Sequence, residues 1–302
     1  MRLYRSTFVL RSASASRWQA DTLFGHLCWH LARRDEATLD TLLDFCREGM
    51  PPVLLSDGFP SGWLPKPLVT TRDKPGEGLC KCERIQKSRV EKDRLKGRWL
   101  RPDEFNRACH GEAVLPPADQ PADDARIAAK NQIDRRTDTA GSEGGALYDF
   151  EEFWLKQVDV YWRIEDGYET LVREFLDDLK ATGYGKRKSV GYGEIESFTL
   201  EKFDGFAPVP QANGFVSLSN FVPAASDPAQ GFWTTAVKYG KLGEEAAVSG
   251  NPFKRPLIQL AAGACFYASP VREWYGRLVA NVATDERVVQ YGFAFPIPAR
   301  LP

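Results

Sequence analysis

The sequence predicts an α+β fold of two sheet units in tandem, and three observations carry that expectation. Apolar residues alternate with polar ones over several short segments, as in half-buried strands. Two longer segments, one from Asp21 and one from Tyr168 to Ala181, instead place apolar residues at three- and four-residue steps, the signature of helices with one buried face. Beyond about residue 205 the strand pattern continues while helical periodicity fades. With 302 residues, 43% of them hydrophobic and 27% charged, the chain has material for one large domain or two ordinary ones.

Taken in order, Leu3, Phe8 and Leu10 punctuate polar residues between Arg2 and Ser12, which predicts a strand. A helix follows from Asp21, with Asp21 or Thr22 as its cap and Leu23, Phe24, Leu27, Trp29 and Leu31 as its apolar face. Leu39, Leu42, Leu43 and Cys46 predict a second helix over Glu36 to Arg47, stopped by Gly49, Pro51 and Pro52. Val53 to Leu55 and the stretch around Trp63 to Leu68 read as short strands joined by a turn at Asp57-Gly58. From about 70 to 148 charge runs and prolines replace periodicity, so this stretch reads as a partly mobile insertion. Phe150 to Arg163 is strand-like, Tyr168 to Ala181 helical and Glu194 to Phe203 again a strand. Residues 1–205 thus run strand, helix, strands, strand, helix, strand, the order of a ferredoxin-like unit. Residues 206–302 form the second unit, with strands over Phe215 to Phe221, Gly231 to Tyr239, Leu257 to Tyr267 and Gln290 to Arg300.

Forty basic against 41 acidic residues leave a net charge of −1, which excludes a protein that coats nucleic acid over its whole surface. A local basic groove remains open. The apolar run at the N-terminus is too short for a signal peptide, and the longest apolar stretch, Leu257 to Ala268, is too short to span a bilayer. A cytoplasmic protein without membrane contact is expected, with six scattered cysteines kept reduced. There is no Gly-x-Ser-x-Gly elbow, His-Glu-x-x-His pair or Walker motif, and three histidines are a thin supply of general bases. The expectation is a binding protein without catalytic residues, metal or cofactor.

The densest chemical feature is the loop Gly183-Tyr184-Gly185-Lys186-Arg187-Lys188-Ser189-Val190-Gly191-Tyr192-Gly193. A phosphate-binding P-loop runs strand, loop, helix, so that phosphate meets the positive end of the helix dipole. This loop follows a helix and meets the negative end, which Lys186, Arg187 and Lys188 offset. Four glycines permit positive φ and close backbone approach, consecutive N–H groups can form an anion nest, Ser189 adds a donor, and Tyr184 and Tyr192 offer rings for base stacking. Two readings stand on these residues: a site for a polyanion such as RNA, or a helix cap and turn whose charges face water.

Several segments carry a resemblance. The glycine loop resembles the glycine-rich signature of the RAMP superfamily of CRISPR proteins, and Gln19 to Trp29 (QADTLFGHLCW) resembles the start of their first helix. Lys130 to Thr137 (KNQIDRRT) with Gly145 to Tyr148, Lys254-Arg255-Pro256-Leu257 running to Phe266, and Tyr291 to Ala294 resemble further segments of one member, the fourth subunit of the type III-A (Csm) effector. The resemblance runs from residue 3 to about 298, outside the insertion. It implies two tandem ferredoxin-like, RRM-like domains and binding of the 5′ repeat-derived handle of the CRISPR RNA. It also implies partners: the large polymerase-like effector subunit and a backbone RAMP subunit. Carried over by position, Gly183, Tyr184, Gly185, Lys186, Arg187, Lys188, Ser189, Gly191, Tyr192 and Gly193 line the RNA, with Asn131, Arg135, Arg136, Lys254 and Arg255 as further contacts. The alternatives are a RAMP endoribonuclease that processes repeat RNA, with His26 as its base, and a purely structural adaptor.

Other constellations have simpler readings. His26 and His30 are four apart and share a helix face, with no third ligand at metal spacing. Asp21 is explained as the helix cap. Cys80-Lys81-Cys82 with Cys109-His110 offers four zinc-type ligands at spacings poorly suited to one ion. Between Lys81 and Arg107, ten basic and five acidic residues give a balance of +5, a solvated face or an interface that Trp99 and Phe105 favour.

Overall fold

The computed structural model describes residues 1–69, 96–121, 125–131, 133–134, 139–140, 147–243 and 251–302. The first part of the chain runs β1 (Arg2–Leu10), α1 (Ala20–Arg34), α2 (Glu36–Arg47), β2 (Val53–Leu55), β3 (Phe59–Pro60), β4 (Leu64–Pro65), β5 (Trp99–Leu100), α3 (Pro102–Cys109), β6 (Ala125–Asn131), β7 (Ile133–Asp134), β8 (Thr139–Ala140), β9 (Leu147–Phe153), β10 (Gln157–Ile164), α4 (Glu169–Thr182) and β11 (Ile195–Lys202). Its main sheet has the order β11-β1-β10-β2, antiparallel throughout, with β3 beside β10. Two-residue alternation sends Tyr4, Ser6 and Phe8 of β1 inward. Ser6 is tolerated there because its hydroxyl accepts the indole N–H of Trp162 at 2.7 Å. Against the sheet, α4 buries Val172, Phe175, Leu176 and Leu179.

The second part adds β12 (Gly214–Ser217), β13 (Gly231–Phe232), β14 (Thr235–Lys238), β15 (Leu257–Leu260), β16 (Cys265–Tyr267), β17 (Tyr275–Gly276), β18 (Phe293–Ala294) and β19 (Pro296–Ala299). β13-β16-β12-β19 form one sheet, and β14-β15 and β17-β18 form two ribbons. Among the described residues beyond Lys202 there is no α-helix, so a second strand–helix–strand repeat, expected for residues 206–302, is not seen. One buried cluster joins residues from both sides of 205/206, including Phe8, Trp162, Leu218, Phe293 and Ile297.

Two further expectations change. Phe150 to Arg163 is not one strand: β9 ends at Phe153 and pairs with β6 in a separate ribbon, while β10 enters the main sheet from Gln157. The described part of the insertion is also structural. Phe105 and Cys109 of α3 are fully buried, Asn106 Nδ2 donates to Gly205 O at 2.8 Å, and Arg300 N donates to Cys109 O at 2.8 Å. The stretch from 70 to 95 lies outside the described residues. No helix among the described residues is long and apolar enough to cross a membrane.

The join between the parts is built at the N-terminus of α1. Asp21 is not the cap; it lies inside the first turn, and Gln19 occupies the cap position without a side-chain bond to the helix's own N–H groups. A residue distant in sequence takes over the capping. Asp57 Oδ1 accepts the Ala20 N–H at 2.8 Å, and its Oδ2 accepts the Asn220 N–H at 3.2 Å. Asp21 instead faces the second part, where Oδ1 accepts from Lys238 Nζ at 2.8 Å and Oδ2 from Gln290 Nε2 at 2.6 Å and Gln259 Nε2 at 3.3 Å.

Burial pushes the Asp57 carboxyl up to about 7, with Asp21 adding to the rise and the Ala20 and Asn220 N–H groups and Lys238 opposing it. A carboxylate whose folded value is raised holds its proton more tightly folded than unfolded. Stability therefore falls as pH rises from about 4 to about 7, by up to about 1.4 kcal/mol per unit, and the effect is flat above. Denaturant unfolding of wild type and Asp57→Asn across this range is expected to show the wild type losing ground relative to the variant up to about pH 7. A pH-independent difference contradicts it.

Candidate nucleic-acid interface

The glycine loop is a closed, braced structure. Gly183 ends α4 at φ 81°, its N–H bonding to Leu179 O at 2.8 Å. Tyr184 N then donates to Gly193 O at 2.8 Å, and Gly193 N donates to Ala13 O at 2.8 Å, which fixes both ends of the loop against the segment after β1. Gly193 is obligatory: its φ is +71°, and a Cβ there would lie 1.9 Å from Tyr184 O. Between the ends, Arg187 takes a left-handed conformation at φ 59°, Lys188–Val190 make one 3₁₀ turn, and Gly191 is left-handed at φ 89°.

The expected anion nest is not available from most of these amides. Gly185 N donates to His26 Nε2 at 3.0 Å and Lys186 N to Ser16 Oγ at 3.3 Å. Val190 N and Tyr192 N donate to Arg187 O, and Gly191 N to Lys188 O. Internal closure consumes the donors that a nest would present. Tyr184 is a second correction. Its ring is fully buried, stacked on Trp18 at 4.0 Å, and its hydroxyl donates to Arg17 O at 2.7 Å while accepting the Gln19 N–H at 3.0 Å. It anchors the loop and offers no face to a base.

The loop's side chains project differently. Lys186, Arg187 and Ser189 are exposed, as are Val190 and Gly191, and Lys188 is half-buried. The Lys186 ammonium is pulled below the ordinary lysine value by desolvation and by Lys238 and Lys241. Arg187 lies against the ribbon of β6 and β9: its guanidinium sits 4.4 Å from the Phe150 ring centroid and donates to Tyr148 Oη at 3.2 Å. Tyr192 meets Phe150 edge-on at 5.4 Å and donates to Glu152 Oε2 at 2.9 Å, with Lys130 Nζ 5.5 Å from its ring. Arg126 lies 5.5 Å over Trp154, and Arg17 lies 4.5 Å over Phe153. Loop and ribbon together form one basic, aromatic face.

Of the remaining expected contacts, Asn131 is exposed at the end of β6, opposite Leu147. Arg135 and Arg136 lie outside the described residues. Lys254 is a correction: its ammonium turns inward to Val289 O at 2.9 Å and Gln290 Oε1 at 2.8 Å, and burial lowers its pKa. Arg255 is exposed, its backbone N–H held by Val282 O at 2.7 Å. Arg126, Lys130, Tyr148 and Trp154 were not anticipated as part of the face, and Arg17 lies on the ribbon's other side, against Glu151 and Phe153. The signal was two-residue alternation: Arg126 and Lys130 share one face of β6, and Tyr148, Phe150 and Glu152 stand opposite on β9.

The described histidine and cysteine candidates are held within the fold. His26 Nε2 accepts the Gly185 N–H, which assigns the ring proton to Nδ1. His30 is buried, with Nδ1 3.4 Å from Asp178 Oδ2. His110 turns both ring nitrogens to carbonyls, Asn106 O at 2.8 Å and Pro208 O at 3.1 Å, and burial raises the Cys109 thiol. Cys80 and Cys82 lie outside the described residues, and among those described no cluster of metal-type ligands occurs.

Gly191 and Gly193 respond differently to substitution. Gly191 has open space around a Cβ, so Gly191→Ala incurs only the left-handed backbone cost, about 1 kcal/mol. Gly193→Ala also collides with backbone and is expected to open the Tyr184–Gly193 closure, with a clearly larger fall in Tm and new protease cleavage between 183 and 193. Equal effects of the two variants contradict the closed loop.

No protein-family model matches the chain, and no curated protein matches it. Solved structures do. A chain of the crystal structure of a Csm1-Csm4 cassette in complex with pppApA matches with a TM-score of 0.59 at 20% identity, over 100% of this chain and 99% of that one. The same cassette in complex with cA4 gives 0.58 at 20% identity, over 99% of both chains. A chain of the Csm3-Csm4 subcomplex in the type III-A CRISPR-Cas interference complex gives 0.61 at 12% identity, over 99% of both. From end to end the chain thus has a Csm4-like fold, Csm4 being the component that the two kinds of assembly share.

Proposed function

We propose that the chain is a non-catalytic RNA-binding subunit of a type III CRISPR effector. In this reading it holds the 5′ repeat-derived handle of the CRISPR RNA and bridges the large polymerase-like subunit to the backbone RAMP subunits. One observation carries the RNA-binding part: Arg187 of the glycine loop packs against the β6–β9 ribbon, which sets it beside Arg126 and Lys130 and the rings of Tyr148, Tyr192 and Trp154, while Lys186 and Lys188 flank it in the same loop. Cations supply sequence-independent attraction to phosphates, and rings supply faces for bases. Likeness to chains from both a Csm1-Csm4 and a Csm3-Csm4 assembly supports the bridging role. The non-catalytic reading is supported by the histidines: His26 and His110 spend ring nitrogens on backbone partners, and His30 is buried.

Replacing Lys186, Arg187 and Lys188 with Ala is expected to weaken retention of guide RNA and to flatten its salt dependence, each lost phosphate contact reducing the slope of log affinity against log salt by about 0.7. Because Arg187 also packs on Phe150, the double variant Lys186→Ala/Lys188→Ala is measured beside it. Unchanged affinity and slope in both would falsify the loop as the clamp. Labelled repeat RNA incubated with the pure subunit is expected to stay intact; specific cleavage that disappears in His26→Ala establishes the endoribonuclease instead.

A further inference from the structure

The β14–β15 ribbon has two unlike faces. Its strands pair from Thr235↔Leu260 to Lys238↔Leu257, with a bridge between Lys241 and Phe253. Lys238 and Gln259 point inward to Asp21. Two-residue alternation sends Val237 and its partner Ile258 outward, followed by Tyr239 and then by Lys241 opposite Phe253. These outward side chains are bare: Tyr239 is 71% exposed and Phe253 64%. Lys241 Nζ lies 5.6 Å from the Phe253 ring centroid.

The charge on the ribbon has one sign. Residues 235–243 and 251–260 contain Lys238, Lys241, Lys254 and Arg255 and no Asp or Glu. Glu244 and Glu245, next in sequence, lie outside the described residues. Lys238 and Lys254 turn inward, so Lys241 and Arg255 are left with exposed aromatic rings. The ribbon also adjoins the glycine loop through two hydrogen bonds that meet at Gln19. Its N–H donates to Tyr184 Oη at 3.0 Å, and its Oε1 accepts from Lys238 Nζ at 2.6 Å.

We propose that the outward face of the β14–β15 ribbon is a stacking platform for single-stranded RNA, with Tyr239 and Phe253 taking bases and Lys241 and Lys186 taking phosphates, so that the strand held at the glycine loop continues onto the ribbon. The proposal rests on the RNA-binding reading above and adds a second segment to the path. Cations without acids beside upstanding rings suit a polyanion with planar bases: the phosphates find charge and the bases find π-faces. An acidic protein surface would also use lysines and rings, which makes assembly with the other subunits the discriminating measurement.

The test is the affinity of the purified chain for fluorescent oligouridylate and oligoadenylate of about 12 nucleotides, long enough to cover both segments, read by anisotropy at several salt concentrations. Tyr239→Ala/Phe253→Ala is expected to bind about tenfold or more weakly at every salt concentration with an unchanged salt slope, because rings and no charges are removed. Tyr239→Phe and Phe253→Tyr keep the rings and are expected to bind as wild type. Both residues are exposed, so the melting temperature should not move. If Lys186→Ala/Lys188→Ala weakens binding while the ring variant does not, the platform is overturned and the loop reading stands; if neither does, both fall. A ring variant with wild-type RNA affinity that fails to assemble with the other subunits marks the ribbon as a protein interface and also overturns the platform.

Discussion

The arrangement of the glycine loop and the β14–β15 ribbon depends on two buried carboxylates at the N-terminus of α1. A helix start leaves backbone N–H groups without partners, and here the start is buried against the second part of the chain. Asp57 meets one of those groups from outside the helix and holds Asn220 with its other oxygen. Asp21, inside the first turn, sits where the helix dipole favours a negative charge and takes donors from Lys238, Gln259 and Gln290. Removing one partner of a buried charge pair typically costs about 3–5 kcal/mol, because the other charge is left unpaired. The cluster thereby fixes the glycine loop, through Gln19 and Tyr184, and the β14–β15 ribbon, through Lys238, to one helix end.

The glycines of the loop serve closure rather than contact. Gly193 lets two backbones meet, and Gly183 and Gly191 turn the chain at positive φ. Since the amides are largely spent inside, what the loop presents to its surroundings is its side chains. Cationic side chains are long and attract phosphate without demanding one geometry, so binding through them is salt-dependent and weakly sequence-selective. The same frame keeps Arg187 pressed on Phe150, which joins the loop to the β6–β9 ribbon.

Local patterns were legible and long-range ones were not. The limits of α2 could be read because every signal was local: Asp35 caps Thr38 N at 3.1 Å, the apolar residues keep helical spacing, and Gly49 takes φ 76° just beyond the end. The same holds for α4 and for β1. Asp21 misled because an aspartate at a helix start has the same sequence signature whether it caps the helix or reaches across to another unit; only the fold brings Lys238 and Gln290 to it. Tyr184 misled because its glycine neighbours suggested exposure, whereas Trp18, 166 residues earlier, supplies a stacking partner. The break between β9 and β10 was hidden because both strands alternate, and nothing local says that one joins the main sheet and the other a ribbon.

Lysine chemistry in the same cluster shows how burial divides labour among like residues. Lys238 and Lys254 belong to a sequence segment rich in exposed rings, and on composition alone both would be assigned to phosphate. Lys238 is instead bound by Asp21, Gln19 and Thr22, and Lys254 by Val289 and Gln290. Their charges answer the buried carboxylates, so they support the ribbon from its inner side. Lys186 and Lys241 have no carboxylate to answer among the contacts just described, and desolvation and mutual repulsion already draw Lys186 below its ordinary value. A chain of net charge −1 can in this way carry a local cationic surplus: its acids neutralise the inward lysines and leave Lys186 and Lys241 facing outward.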